Sequence, residues 1–252
     1  MSLIQGLTGL GPWAFAAALA MTLAAASLRG LTGFGMAIIL VPLLGMIMRP
    51  DDAVMLAILL QLQIGVLGLR NTIRHSDRSS ALPMALCAIL TTPLGVWALA
   101  HTAPDVARLG IAAISIAAFL LVLLPTNGTA KPGLPLAIGA GGVAGFLTGF
   151  AAMPGPPVVP FYLKGGYEVA VARASMMFVF FATAIAATIS AWLLGLVRVE
   201  SVVLSLLLSP AIFLGNRLGG LAFGRIEPGV WRALIGLILG VAGISAAWRA
   251  FQ

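Results

Sequence analysis

Charge is scarce in this chain of 252 residues: 8% are Asp, Glu, Lys or Arg, against about 25% in soluble domains. Cys87 is the only cysteine, which excludes an intrachain disulfide. With only two histidines, His75 and His101, both in polar connections, no Cys/His cluster is expected to hold a metal, and no cofactor is expected either. Asp51, Asp52, Glu168, Glu200 and Glu227 fall at expected helix ends, where pairing with the helix dipole accounts for them. No mid-helix carboxylate or histidine is left to relay protons, and neither a Ser-His pair nor paired mid-helix aspartates suit an intramembrane protease. Catalytic residues are therefore not expected. What is abundant is apolar sequence: 61% hydrophobic residues and a mean hydropathy of +1.11. The chain reads as an all-α polytopic membrane protein with the lipid bilayer as its surroundings. A formal charge of +7 would hint at nucleic acid in a soluble protein; here the basic residues stand singly between apolar runs and orient the chain instead.

A spanning helix needs about 20 apolar residues to cross a hydrocarbon core of roughly 30 Å. By that measure helices are predicted near 12–28, 36–48, 52–69, 80–100, 107–124, 134–148, 156–164, 169–196, 199–223 and 229–249. Those at 36–48, 134–148 and 156–164 are too short to span and are expected to reach part-way or to pair as re-entrant hairpins. The first 28 residues lack a basic region ahead of the apolar stretch, so the first helix is expected to be retained rather than cleaved as a signal peptide.

Two stretches interrupt the apolar sequence at matching points: Arg29-Gly30-Leu31-Thr32-Gly33-Phe34-Gly35 and Gly145-Phe146-Leu147-Thr148-Gly149-Phe150-Ala151. Unwound backbone at bilayer depth survives only where it lines a cavity, so these breaks are the strongest pointer to a binding site. Thr32-Gly33-Phe34 recurs as Thr148-Gly149-Phe150 at an offset of 116, which also sets Asp52 on Glu168. Gly95, Pro104 and Arg108 recur as Gly219, Pro228 and Arg232 at an offset of 124. The expected organisation is two repeats, 1–126 and 127–252, each a broken or re-entrant helix pair followed by three transmembrane helices. Three spans per unit would invert the second repeat. With Arg70, Arg74 and Arg78 inside, inversion also places Lys131, Lys164, Arg173, Arg225 and Arg232 inside, and leaves Arg49, Arg108, Arg198 and Arg249 outside. A parallel arrangement splits the same residues evenly. Inversion predicts both termini outside the cytoplasm.

A small anion at the midplane needs hydrogen-bond donors, partial positive charge and little steric bulk. Exposed helix N-termini supply the first two, and glycine the third. Gly33, Gly35, Gly149 and Gly155 are candidate binding residues on this ground, Phe34 is a candidate beside them that either packs across the hairpin, as Phe150 does at the second break, or gates the site, and Pro156 and Pro157 start the helix expected to aim its N-terminus at the site. Arg29 adjoins the first break; an arginine at bilayer centre costs about 2.5–3.5 kcal/mol on insertion scales. Either it pairs with the anion or it snorkels and caps carbonyls. Arg217, beside Asn216 within 199–223, either joins an anion site or bonds the backbone of a neighbouring broken helix. Arg173 reads as an interfacial anchor. Gln61 and Gln63 stand two apart and face different ways, one toward a cavity and the other toward a neighbouring helix. Thr32 and Thr148 either donate to substrate or bond back to a carbonyl one turn earlier.

The run Gly30-Leu31-Thr32-Gly33-Phe34-Gly35-Met36-Ala37-Ile38-Ile39-Leu40-Val41-Pro42-Leu43-Leu44 resembles the first signature of the sulfite exporter TauE/SafE family, also called the TSUP family. The run from Gly145 to Pro160, with Gly155-Pro156-Pro157 at its core, resembles the second signature in its Gly-Pro-Pro variant. Members commonly run three glycines together after each break, whereas Met36-Ala37 and Ala151-Ala152 stand here, a departure that bears on which anion fits. The resemblance implies a transporter of a small organosulfur or sulfur oxyanion, of the sulfonate or sulfite class; with the expected inverted repeats, the expectation is a secondary transporter in the inner (plasma) membrane whose repeats rock around an anion held at the two breaks, by alternating access. The alternative is an anion channel, since re-entrant segments also build pores.

Overall fold

The computed structural model describes residues 3–123 and 131–222, and every regular element among them is helical. In chain order these are α1 (Leu3–Thr8), α2 (Pro12–Thr32), α3 (Met36–Leu44), α4 (Pro50–Val66), α5 (Leu69–His75), α6 (Arg78–Ala100), α7 (Pro104–Leu123), α8 (Leu134–Ala151), α9 (Gly155–Lys164), α10 (Val169–Leu193), α11 (Val199–Leu207) and α12 (Ser209–Ala222). Helices α2, α6, α8 and α10 are long and apolar enough to cross a bilayer. The bent pairs α4–α5 and α11–α12 bring the number to six if each is one span. The chain is a multi-pass membrane protein.

Several boundaries depart from the sequence expectation for local reasons. The helix expected over 52–69 ends at Val66, and α5 turns away from α4 by 75° through Gly68, at φ +78°. The helix expected over 199–223 bends by 44° at Leu208, where Pro210 has no N–H to continue the ladder. The segment expected to be short at 134–148 runs on to Ala151 and reaches spanning length, so only α3 and α9 remain short beside the breaks. The helix expected at 229–249, with Arg225, Glu227, Pro228, Arg232 and Arg249, lies outside the described residues.

Two opposite faces can be identified by what meets there. Leu10 before α2, Met48 after α3, Asp52 on α4 and Arg198 before α11 line one cavity of about 400 Å³. We call this the Arg49 face. α4 leaves it and, at ~1.5 Å per residue, travels about 25 Å before it ends. Near its far end the Asp77 N–H donates to Ser175 Oγ at 2.8 Å, and Lys131 Nζ lies 5.0 Å from the Tyr167 ring centre. That gathers the α5–α6 turn, the segment before α8 and the start of α10 at the Asp77 face. The hairpin α2–α3 therefore opens to the Arg49 face and the hairpin α8–α9 to the Asp77 face. Trp13 at the start of α2 and Trp97 and Trp192 near the ends of α6 and α10 are exposed toward the Arg49 face, as an interfacial aromatic belt requires.

Close backbone approach holds the spans together. On α12, Gly215 and Gly219 lie against the Leu23 and Ser27 carbonyls of α2, and Gly30 of α2 lies against Asn216. On α8, Gly141, Gly145 and Gly149 lie against Met84, Ala88 and Thr92 of α6. Small residues substitute here for a hydrophobic drive that lipid does not supply. Between these pairs α3 and the first half of α4 are buried nearly all round, including Ile39, Leu40, Val54 and Leu56, and form the core.

Candidate functional site

The first break is built by two left-handed glycines. Gly33, at φ +85°, closes α2 by donating its N–H to the Arg29 carbonyl at 2.6 Å, and Gly35, at φ +86°, opens α3. A side chain at either position would crowd its own backbone at a cost of about 1–2 kcal/mol, so glycine is favoured. The second break turns at Ala152, φ +58°, the one non-glycine residue with positive φ among the described residues. Its N–H reaches the Thr148 carbonyl at 2.7 Å, and α9 then starts at Gly155 with Pro156 and Pro157 in its first turn.

Both breaks line the same small chamber. Arg29, Phe34, Gly35 and Met36 reach it from the first, and Met153, Pro154 and Gly155 from the second. Gln61 of α4 and Phe180 of α10 complete the wall, and Ile38 Cδ1 is 3.6 Å from where a Gly155 side chain would begin. The space open to the centre of a water molecule is about 20 Å³, room for about one water. Gln61 lies eleven residues beyond Pro50, or about 16 Å along α4, close to the middle of a ~30 Å hydrocarbon core. The N-termini of α3 and α9 both end at this chamber, so the first-turn amides of α3, the Gly155 amide of α9 and two positive dipole ends converge on it.

The predicted site residues divide by position. Arg29 is 6% exposed, donates from Nη1 to Asn216 Oδ1 at 3.3 Å, and forms no ion pair among the described residues. Gln61 lines the chamber and donates from Nε2 to the Ala152 carbonyl at 2.9 Å. Gln63 faces elsewhere: it donates to Ser205 Oγ at 3.0 Å and accepts from Ser209 Oγ at 2.7 Å, across the bend between α11 and α12. Thr32 Oγ1 lies 2.9 Å from the Leu28 carbonyl and 2.8 Å from that of Phe34, and accepts from the Phe34 N–H, so its proton belongs to the turn. Thr148 donates to the Ala144 carbonyl at 2.7 Å, and Gly149 packs on α6. Pro156 and Pro157 stay behind Gly155 in α9, and Arg217 is exposed. None of Gln63, Thr148, Gly149, Pro156, Pro157 and Arg217 lines the chamber.

Arg173 was expected as an interfacial anchor and takes a different place. Its Nη2 donates to the Gly30 carbonyl at 2.8 Å, and its Cγ lies 2.7 Å from where a Gly33 side chain would start. The only sequence signal for this was a basic residue set inside an apolar helix. Phe180 and Met153 carried no signal at all, being apolar residues in apolar sequence.

At the Arg49 face charged groups pair with one another. Arg49 meets Asp51 at 3.1 Å, and Arg198 meets Asp52 at 3.6 Å. Asp77 caps α6, accepting from the Ser80 N–H at 3.2 Å and from the Ser80 and Ser79 hydroxyls at 2.6 and 2.8 Å. Partial burial pushes its carboxyl up, but the hydrogen bonds from Ser80 and Ser79 outweigh this and hold it below the usual carboxylate range.

The family described as Sulfite exporter TauE/SafE matches residues 17–246, nearly the whole chain. Among curated proteins and among solved structures, none matches the chain. Two broken helices meeting at one chamber are thus accompanied by a family match that includes both breaks, and the chain belongs to the TauE/SafE sulfite exporter family of membrane transporters.

Proposed function

We propose that the protein is a secondary carrier of a small sulfur oxyanion or sulfonate, held between the two breaks and passed across the membrane by alternating access. The observation that carries this reading is the shared chamber, where Arg29 and the N-termini of α3 and α9 converge with no carboxylate of the described residues among its lining. The gain is electrostatic: a buried guanidinium is costly alone and becomes a charge-assisted donor when an oxyanion arrives. The first break supplies the amides of Met36, Ala37 and Ile38; the second supplies that of Gly155, since Pro156 and Pro157 have none and the Val158 N–H belongs to the first turn of α9. The binding set in this reading is Arg29, Gly35, Gln61 and Gly155, with Gly33, Phe34, Thr32 and Asn216 shaping it.

The two units, 1–126 and 127–252, are inverted repeats in this reading. Two features support it: hairpins opening to opposite faces, and the reciprocal packing of α2 on α12 and α8 on α6, in which Gly219 and Gly95 play matching parts. The basic residues favour a plasma-membrane orientation with the Asp77 face in the cytoplasm and the Arg49 face outside. A chamber with room for about one water supports a carrier over an open anion channel, and in this reading the two breaks must part to admit an anion of four or more heavy atoms.

The test is a thermal-shift screen of the purified protein with sulfite, small sulfonates, sulfate and carboxylates. A true ligand at a hundredfold excess over Kd stabilises by about 2.7 kcal/mol. The reading expects that shift for at least one sulfur anion and its loss in Arg29→Gln. No shift for any sulfur anion would refute it, and single-channel currents in planar bilayers would favour the pore.

A further inference from the structure

Each break is held by a long polar side chain from the opposite half of the sequence, and the two holding helices are α10 and α4. At the first break, Arg173 of α10 donates to the Gly30 carbonyl at 2.8 Å. That carbonyl would ordinarily accept from the Phe34 N–H, which here turns to Thr32 Oγ1 at 3.2 Å. The arginine stem lies flat on Gly33, within 3.2 Å of the missing side chain at Cγ, Nε and Cδ, so the glycine admits the arginine as well as the turn. At the second break, Gln61 of α4 donates to the Ala152 carbonyl at 2.9 Å in a buried bond. Ala152 is the left-handed residue that makes this turn.

We infer that Arg173 and Gln61 are reciprocal positioning residues. Each fixes the backbone of the other half's break, and so sets where the amides of α3 and α9 point. Both act through backbone carbonyls. A freed carbonyl at bilayer depth has no water to turn to, so the partner that satisfies it decides which conformation the break holds. Because each bond crosses between the halves, a movement of one half against the other must strain or exchange both bonds. The binding amides are thereby tied to the relative position of the halves. This inference rests on the proposed carrier reading only for its transport consequence; the clamping itself does not depend on what is carried.

Hydrogen exchange on the ligand-free protein in nanodiscs tests it. Arg173→Met is expected to speed exchange at residues 30–36 by about tenfold and to leave 150–155 near the parent rate; Gln61→Leu is expected to do the reverse. Arg173→Lys keeps the charge but loses the planar reach, and should fall between the parent and Arg173→Met. In proteoliposomes, Arg173→Lys should raise the half-saturating anion concentration about fivefold while the maximal rate per folded molecule stays within about twofold. A residue that merely holds the fold would instead lower the maximal rate with the folded amount and leave half-saturation unchanged. Parent-like exchange at residues 30–36 in Arg173→Met, or at 150–155 in Gln61→Leu, would overturn the inference, whatever anion is carried. Failure of every sulfur anion to bind, with the exchange changes present, would overturn the carrier reading alone.

Discussion

At the scale of single residues, Gly33 and Gly35 share a left-handed backbone but differ in surroundings. A side chain at Gly35 would meet only Leu28 Cδ2, at 3.6 Å, whereas one at Gly33 would start 2.7 Å from Arg173 Cγ. Gly35→Ala should therefore cost about 1–2 kcal/mol from backbone strain alone. Gly33→Ala should cost more, about 2–4 kcal/mol, because overpacking adds to the strain. Unfolding midpoints of both variants in one detergent check the order; equal losses would mean that Arg173 does not rest on Gly33. Gln61 and Gln63 make a related point. Their two-residue spacing told that they face apart, but not which faces the chamber, because that depends on α11 and α12 packing on one side of α4.

At the scale of helices, glycine spacing decides which surfaces meet. Gly145 lies against the Ala88 carbonyl and Thr91 of α6, while Gly142, less than one turn away, has only Thr91 Cγ2 at 4.0 Å. Gly145→Ala should loosen the α6–α8 pair by about 1–3 kcal/mol, and Gly142→Ala should be neutral or stabilising by up to about 1 kcal/mol through helix propensity. Reversible unfolding in bicelles distinguishes them. The existence and type of most helices were legible in the sequence, since runs of apolar residues near spanning length leave little choice. The bends were harder. Gly68 and Pro210 were visible, yet a proline or glycine inside an apolar run bends a helix only as far as its neighbours allow, and those neighbours lie far away in the chain. The two breaks were legible because glycine and proline inside greasy sequence are costly without a cavity. Arg173 was misread because the Gly30 carbonyl it serves is 143 residues away.

For the whole molecule, side chains of the two halves meet at both faces. Asp52 and Arg198 meet at the Arg49 face, and at the Asp77 face the α5–α6 turn bonds to Ser175 of α10 and, through Ser80, to Tyr162 of α9 at 3.2 Å. Asp77 organises that turn, and its depressed pKa gives a pH signature. The folded state holds the ionised form more tightly, so its contribution is complete above the unfolded value near about 4 and fades as pH falls through the lower folded value. Asp77→Asn should lower stability at neutral pH and flatten the acid side of the stability curve; an unchanged acid slope would mean that other carboxylates dominate it. The central claim is that both breaks enclose one anion. Its most direct measurement is an experimental density map of the protein soaked with a selenium oxyanion or bromoalkyl sulfonate, read by anomalous scattering. The account expects one peak between Gly35 and Gly155, within hydrogen-bond reach of Arg29. A peak confined to the cavity beside Arg49 and Arg198, or an empty chamber at saturating anion, would contradict it.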